Sequence, residues 1–384
     1  MKKILIALSL VIALCASAQN KRYITEIHDF LPTPGQFVNA MPQAKAGDTK
    51  ADVLKRVAQA ICGYDDDGDE VIAESMISLG SYGGYVVFSF DHPLVNVKGE
   101  YDMQIFGNAY QAAQSSSNGG SSEPGIVMVA NDLNGPWYEL AGSEYNSPYT
   151  QHDFKITYYK PAPDHVATPD PKNKSIVDTS YVAWTCNSVD SLKTGHVYKN
   201  SFHAQSYWPE WYEGDEITFE GSKLRCNAAD ESGQGTYWVQ YFYDWGYVDN
   251  RPDYKYNGGE PADNQNLGFK LDWAVDAEGN PVNLKQVKYI KVYNGILQQC
   301  GWLGETSTEV AGAIDLHPDA VPEQDTAGDV NGDNKVDVAD INCIINVILE
   351  SEPASLYEGR ADVNGDTKVD IADINAIIDI ILAN

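Results

Sequence analysis

Positive charge is scarce in this chain: 26 Lys and Arg face 55 Asp and Glu, a net charge of −29 over 384 residues. Such a surface repels phosphate backbones, which excludes nucleic acid as a partner class. Long apolar runs are lacking too. Beyond the first twenty residues no stretch reaches the roughly 18 apolar residues that a membrane-spanning helix needs. Histidine is sparse, at seven, and no pair has a familiar metal-ligand spacing. GxSxG, HExxH and the phosphate-binding glycine loop are absent, which removes the common hydrolase and nucleotide-binding classes but not glycosidases, whose signatures are short. Cysteine is limited to six positions. Cys15 falls in the leader, leaving Cys62, Cys186, Cys226, Cys300 and Cys343. That number is odd, and Cys343 sits on an apolar helical stripe that suits a free thiol. The other four fit either two bridges, in any of three pairings, or four unpaired thiols.

What is present begins with an export signal. Lys2 and Lys3 precede the apolar run Ile4 to Leu14, and Ala16-Ser17-Ala18 is a small-x-small cleavage site. Residues 1–18 therefore read as a signal peptide cleaved near Ala18. Cys15 offers a lipoprotein alternative, but Leu14 before it is not the small residue such signals use. The expected location is extracellular or at the cell surface, where disulfides are permitted.

The C-terminus holds a duplication. GDVNGDNKVDVADINCIINVIL from Gly328 and ADVNGDTKVDIADINAIIDIIL from Ala361 repeat with a period of 33 residues. Oxygen-bearing side chains fall at loop positions 1, 3, 5, 9 and 12. They are Asp329, Asn331, Asp333, Asp337 and Asp340, then Asp362, Asn364, Asp366, Asp370 and Asp373. A loop of about 12 residues wraps Ca²⁺ by presenting alternate hard oxygen ligands. Position 7 needs only a backbone carbonyl, so Lys335 and Lys368 fill it with their ammonium groups outward. Two calcium ions are expected. After each loop, isoleucines recur at helical spacing: Ile341, Ile344, Ile345 and Ile348, then Ile374, Ile377, Ile378 and Ile381. Neither stripe can be buried alone, so the helices are expected to face each other.

Residues 329–384 resemble a type I dockerin, on these duplicated DxNxDxxxDxxD loops and the helices that follow. The resemblance implies a cohesin-like protein partner and a role in attaching secreted polysaccharide-handling proteins to a scaffold or surface. Partner choice in that family centres on loop positions 10 and 11, here Val338-Ala339 and Ile371-Ala372. These replace the hydroxyl-bearing pairs of cellulosomal dockerins. Ile345-Asn346 and Ile378-Asp379 replace frequent basic residues further on.

Pro318, Pro322 and the polar run to Gly328 mark a linker, taken as 322–328. Upstream, residues 19–321 read as mainly β. One helix is expected early, capped by Asp48 and carrying Val53, Leu54, Val57, Ala58 and Ile61 on one face. Otherwise the runs are short and strand-like: YVVFSF, GIVMVA, FKITYY, YVAWTC, YWVQYFY and VKYIKVY, separated by Gly, Asn, Asp and Pro. The pattern points to an antiparallel β-sandwich or jelly roll, either one lobe or two lobes split near 161–175. The strings GSYGGYVVFSFDHPLVN, DMQIFGNAY and EPGIVMVANDLNGPWYELAGSEY resemble a jelly-roll module of secreted bacterial surface proteins, a family that brings no established activity.

Two features upstream are functional candidates. Asp65, Asp67 and Asp69 alternate as calcium ligands do and form a candidate third ion site, against the plainer reading of a solvated acidic turn. The stretch from Tyr198 to Tyr256 holds sixteen aromatics in 59 residues. Tyr207, Trp208, Trp211, Tyr212 and Trp245 are its candidate ligand-stacking rings, for a glycan or another flat ligand. The rival is that they fill the core. Three functions compete: a non-catalytic binding module, a glycoside hydrolase of unrecognised family, and a structural or adhesion protein.

Overall fold

A computed structural model of the chain describes residues 20–383 apart from 66, 72–74, 113–117, 190–191, 254–266, 323–325, 334 and 358. The leader, residues 1–18 with Cys15, lies outside the described residues. The described chain is mainly β, with three α-helices. Helix α1 is Lys50–Ile61 in the β-rich region; α2 (Val338–Ile348) and α3 (Ile371–Ala383) form the C-terminal unit.

Among the described residues the strands form six sheets, and every strand pair in them is antiparallel. This differs from a single two-sheet sandwich. The largest sheet has six strands, in the order Glu26–Leu31, Tyr85–Ser89, Tyr289–Asn294, Gly125–Ala130, Tyr138–Leu140 and Ala274–Val275. It is buried on both faces. Along Gly125–Ala130, Val127 and Val129 join one core with Val86, Phe88, Ile290 and Val292, against Val53, Val57 and Ile61 of α1. Ile126 and Tyr293 face a second core. Burial on both faces is why GIVMVA reads as a continuous apolar run.

The second core is completed by a four-stranded sheet, ordered Thr194–Asn200, Ile176–Cys186, Gln151–Tyr159, Glu216–Lys223. Here only one face is covered. Phe154, Ile156 and Tyr158 are buried while Lys155 is exposed, the alternation of a half-solvated strand. The proline-rich stretch after Tyr159 connects two strands of this one sheet. The strands on either side of it pair directly, with Ile156 opposite Cys186 and Tyr158 opposite Trp184.

Helix α1 starts one residue later than Asp48 suggests. Thr49 is the N-cap, in a capping box with Asp52. Asp48 instead receives a two-pronged ion pair from Arg56, at 2.5 and 3.1 Å. Cys62, Cys186, Cys300 and Cys343 are free thiols, with Cys62 and Cys300 buried, and Cys226 is exposed. No described helix is long and apolar enough to cross a membrane.

Candidate functional site

The C-terminal loops are built twice on one plan. In the first, Asp329 Oδ1 accepts N–H bonds from Gly332 (2.8 Å) and Asp333 (3.1 Å), and Asn331 Oδ1 accepts one from Asp333 (2.9 Å). Asp333 Oδ1 accepts from the Lys335 N–H at 2.9 Å. In the second, Asp362, Asn364 and Asp366 make the equivalent bonds to the N–H groups of Asp366 and Lys368 at 2.8–3.0 Å. Gly332 and Gly365 take φ of 75° and 74°, a left-handed turn that a Cβ would strain. Each loop thus folds its side chains inward around the turn at position 4.

Each loop closes on its twelfth residue. Asp340 Oδ1 accepts from Val330 and Asn331 N–H groups at 2.7 and 3.0 Å, and its Oδ2 from the Asp337 N–H at 2.9 Å. Asp373 reaches Asn364 and Asp370 in the same way, at 3.1 and 2.8 Å. Both closing carboxylates are buried. The ninth residues, Asp337 and Asp370, turn Oδ1 onto the N–H groups of Ala339 and Ala372, both at 2.7 Å, and so start α2 and α3. Lys335 and Lys368 are exposed, leaving their carbonyls as the contribution of position 7. The donor set is oxygen throughout, carboxylate and amide, which fits a hard divalent cation such as Ca²⁺ and not a thiolate- or imidazole-seeking metal.

Behind the loops, Val330, Ile344, Tyr357, Ala361 and Ile377 form a small core of their own. Only part of each isoleucine stripe enters it. Ile344 and Ile377 are fully buried and Ile341, Ile374 and Ile381 pack partly, but Ile345, Ile348 and Ile378 are exposed. Val338, Ile371, Leu349 and Leu382 are exposed as well. Three of these positions repeat at 33 residues: 338 with 371, 345 with 378, 349 with 382. Ala339 and Ala372 lie exposed beside the first pair.

A duplicated loop and helix, with oxygen ligands in register and one shared core, defines a paired EF-hand-like calcium unit. Residues 327–382 match the family model of the dockerin type I domain, in agreement with the resemblance read from the repeats. Type I dockerins bind calcium. No curated protein matches the chain.

The acidic run upstream repeats only the turn. Asp65 Oδ1 accepts from the N–H groups of Asp67 (3.0 Å) and Asp69 (2.9 Å), and Gly68 has φ of 84°. Counting twelve positions from Asp65, the ninth is Ala73 and the twelfth Met76, so two of the five side-chain oxygen positions are vacant in sequence.

The expected stacking rings do not form a platform. Tyr207, Trp208 and Trp211 are buried in the two cores, and Tyr212 and Trp245 are half-buried. The Trp208-Pro209-Glu210-Trp211 turn is held inward: Asn39 Nδ2 donates to the carbonyls of Ser206 and Trp208, both at 2.8 Å, and Asn39 Oδ1 accepts from the Glu210 N–H at 2.9 Å. The exposed rings lie elsewhere. Phe202 and Trp302 stand 62% and 37% exposed with ring centres 6.0 Å apart. Trp302 borders a shallow cavity of about 460 Å³ that also presents Lys172, Asn173, Gln234 and Thr236. Its sequence signal is the pair of glycines around it, Gly301 and Gly304, both with positive φ, where a side chain would run into Trp238 and Gln36.

Proposed function

We propose that the protein is an exported, non-catalytic binding protein that captures a glycan on its β-rich region and is tethered through its C-terminal unit to a cohesin-like partner. The observation that carries the reading is the set of apolar side chains left uncovered on the dockerin-matching unit, at equivalent places in both repeats. Such side chains are uncovered at a cost in solution and are what a protein partner buries. A dockerin type I domain implies a cohesin as that partner. Two calcium ions, one per loop, order the unit. Asp329, Asn331, Asp333, Asp337, Asp340 and the Lys335 carbonyl hold the first; Asp362, Asn364, Asp366, Asp370, Asp373 and the Lys368 carbonyl hold the second. Val338-Ala339 and Ile371-Ala372 contact the partner. A third ion at Asp65, Asp67 and Asp69 would need solvent or backbone oxygens to complete its shell.

For the ligand, the cavity beside Trp302 supports capture better than the buried rings do. A partly exposed indole flanked by amide, hydroxyl and ammonium groups suits a sugar ring, which offers an apolar face and hydroxyls at its edge. The test is surface-immobilised binding of the full chain to a cohesin panel with calcium and with chelator, alongside a glycan array and a reducing-sugar assay. Calcium-dependent capture by a cohesin, glycan retention and no sugar release support the reading. Steady sugar release would replace it with the hydrolase reading.

A further inference from the structure

Far from the C-terminal loops, three carboxylates from distant parts of the chain meet. Glu123 lies between strands Gly119–Ser121 and Gly125–Ala130, Asp249 follows Val248, and Glu309 opens strand Glu309–Val310. One oxygen from each lies within 4.8 Å of the others. Asp249 and Glu309 are buried, and Glu123 is partly exposed, leaving a way in.

The backbone holds the three together. The Glu123 N–H donates to the Asp249 carbonyl at 2.9 Å, and the Thr308 hydroxyl donates to the Glu123 carbonyl at 2.7 Å. Asp249 Oδ1 accepts from the Asn108 N–H (2.7 Å) and its Oδ2 from the Glu309 N–H (2.9 Å). Asp249 itself sits at φ 54°, a left-handed conformation that only tight surroundings enforce on a residue with a Cβ.

The charges are not balanced by the protein. Among the described residues no Lys, Arg or His forms an ion pair with any of the three. Glu309 Oε1 is buried and receives no N–H or O–H bond, while the carboxyl as a whole lies within hydrogen-bond reach of the Glu123 and Ser307 side chains. Buried carboxylates side by side are tolerated only by holding protons or a cation. Burial favours protons, pushing Glu123 up to about 7 and Asp249 and Glu309 well above the usual carboxylate range. Asp249 argues the other way: two N–H donors, one on each oxygen, favour its ionised form. Those two donors make Asp249 the carboxylate readiest to give up its proton to a cation placed between the three groups.

We propose that Glu123, Asp249 and Glu309 form a buried site for a hard divalent cation, Ca²⁺ in an exported protein, that ties three distant chain segments together. Carboxylate oxygens without nitrogen or sulfur select such an ion. Its binding energy would add directly to the stability of the β-rich region.

The experiment counts calcium on the full-length chain after chelation and return to calcium, by equilibrium dialysis and elemental analysis. The reference chain carries Asp333→Ala and Asp366→Ala, which disable the C-terminal loops. That chain should keep about one ion and lose it when Glu309→Gln is added. Calcium should raise its Tm before that addition and not after. No ion on the reference chain, or the same count with and without Glu309→Gln, overturns the site. A Glu309→Gln chain of higher Tm with no metal in either form also overturns it, assigning the cluster to shared protons. Should Glu309→Gln fail to fold, Glu123→Gln, at the accessible edge, is read by the same count. If the C-terminal loops themselves bind nothing, wild type and reference chain count alike, and the Glu309→Gln difference still decides.

Discussion

Val338 and Ile371 occupy the same place in the two C-terminal repeats, first in α2 and first in α3, and both stand open to solvent at 64% and 67% exposure. Equivalent exposure at equivalent sites gives the unit two similar apolar faces. A partner that docks on one can dock on the other after the unit turns over. Val338→Asp alone or Ile371→Asp alone should therefore leave cohesin binding nearly intact. Together they should weaken it roughly ten- to a hundredfold, since a covered Val or Ile is worth about 1.5–3 kcal/mol. Surface plasmon resonance checks this, with circular dichroism to show that both variants stay folded. Loss of binding with either single change would mean one face only.

Calcium should fold this unit as well as fill it. Its core is five buried residues, too few to order two loops of adjacent carboxylates without a counter-charge. Calorimetric titration of residues 322–384 should find about two sites, and Asp333→Ala or Asp366→Ala should each remove one. Chelator should abolish most of the helical circular dichroism. A unit equally helical in chelator would defeat the expectation.

How much of this was legible in the sequence depends on how local each signal is. The calcium loops are local: every expected ligand falls within twelve residues, so spacing alone marks Asp329 to Asp340, and in the structure Asp329 and Asp340 accept the N–H bonds that turn and close this segment. The strands were legible where they alternate, as in Phe154, Lys155 and Ile156, or run apolar, as in Ile126 to Val129. Their assembly was not. Nothing in GIVMVA says that Val127 faces α1 while Ile126 faces the four-stranded sheet. Aromatic density misled for the same reason. Trp208 and Trp211 look loop-like beside Pro209, but Asn39, far away in sequence, pins that turn inward. The cluster of Glu123, Asp249 and Glu309 has no spacing to read, because three segments bring it together.

Those buried rings carry a stability prediction. Trp208→Ala and Trp211→Ala should each destabilise the β-rich region by about 3–5 kcal/mol, the usual cost of emptying a large core site. Trp302→Ala should leave the Tm nearly unchanged and weaken glycan retention. Thermal melts with the glycan array separate the two effects. A harmless Trp211→Ala would place that ring outside the core.

The last prediction concerns pH. Glu305 is buried; its Oε1 accepts from the Gln36 N–H at 2.6 Å while Oε2 has no partner. Burial, reinforced by the nearby Glu123 charge, pushes its carboxyl up to about 8. Asp102 and Glu139 are raised by burial to about 7. In the unfolded chain such groups titrate near about 4. Between those values the folded state holds protons that the unfolded state has lost, so stability falls as pH rises. The contribution is whole below about pH 4 and is gone once pH passes the folded values near 7 and 8. For one such group the slope approaches about 1.4 kcal/mol per pH unit. All eight tryptophans lie before residue 303, so tryptophan fluorescence reports on the β-rich region apart from the C-terminal unit. Its melting temperature should be higher at pH 5 than at pH 8. Glu305→Gln keeps the shape and the hydrogen bond but cannot ionise. It should match wild type at pH 5, melt higher at pH 8, and flatten the slope between them. A Glu305→Gln chain with an unchanged slope would mean that Glu305 is ionised in the folded protein across that range.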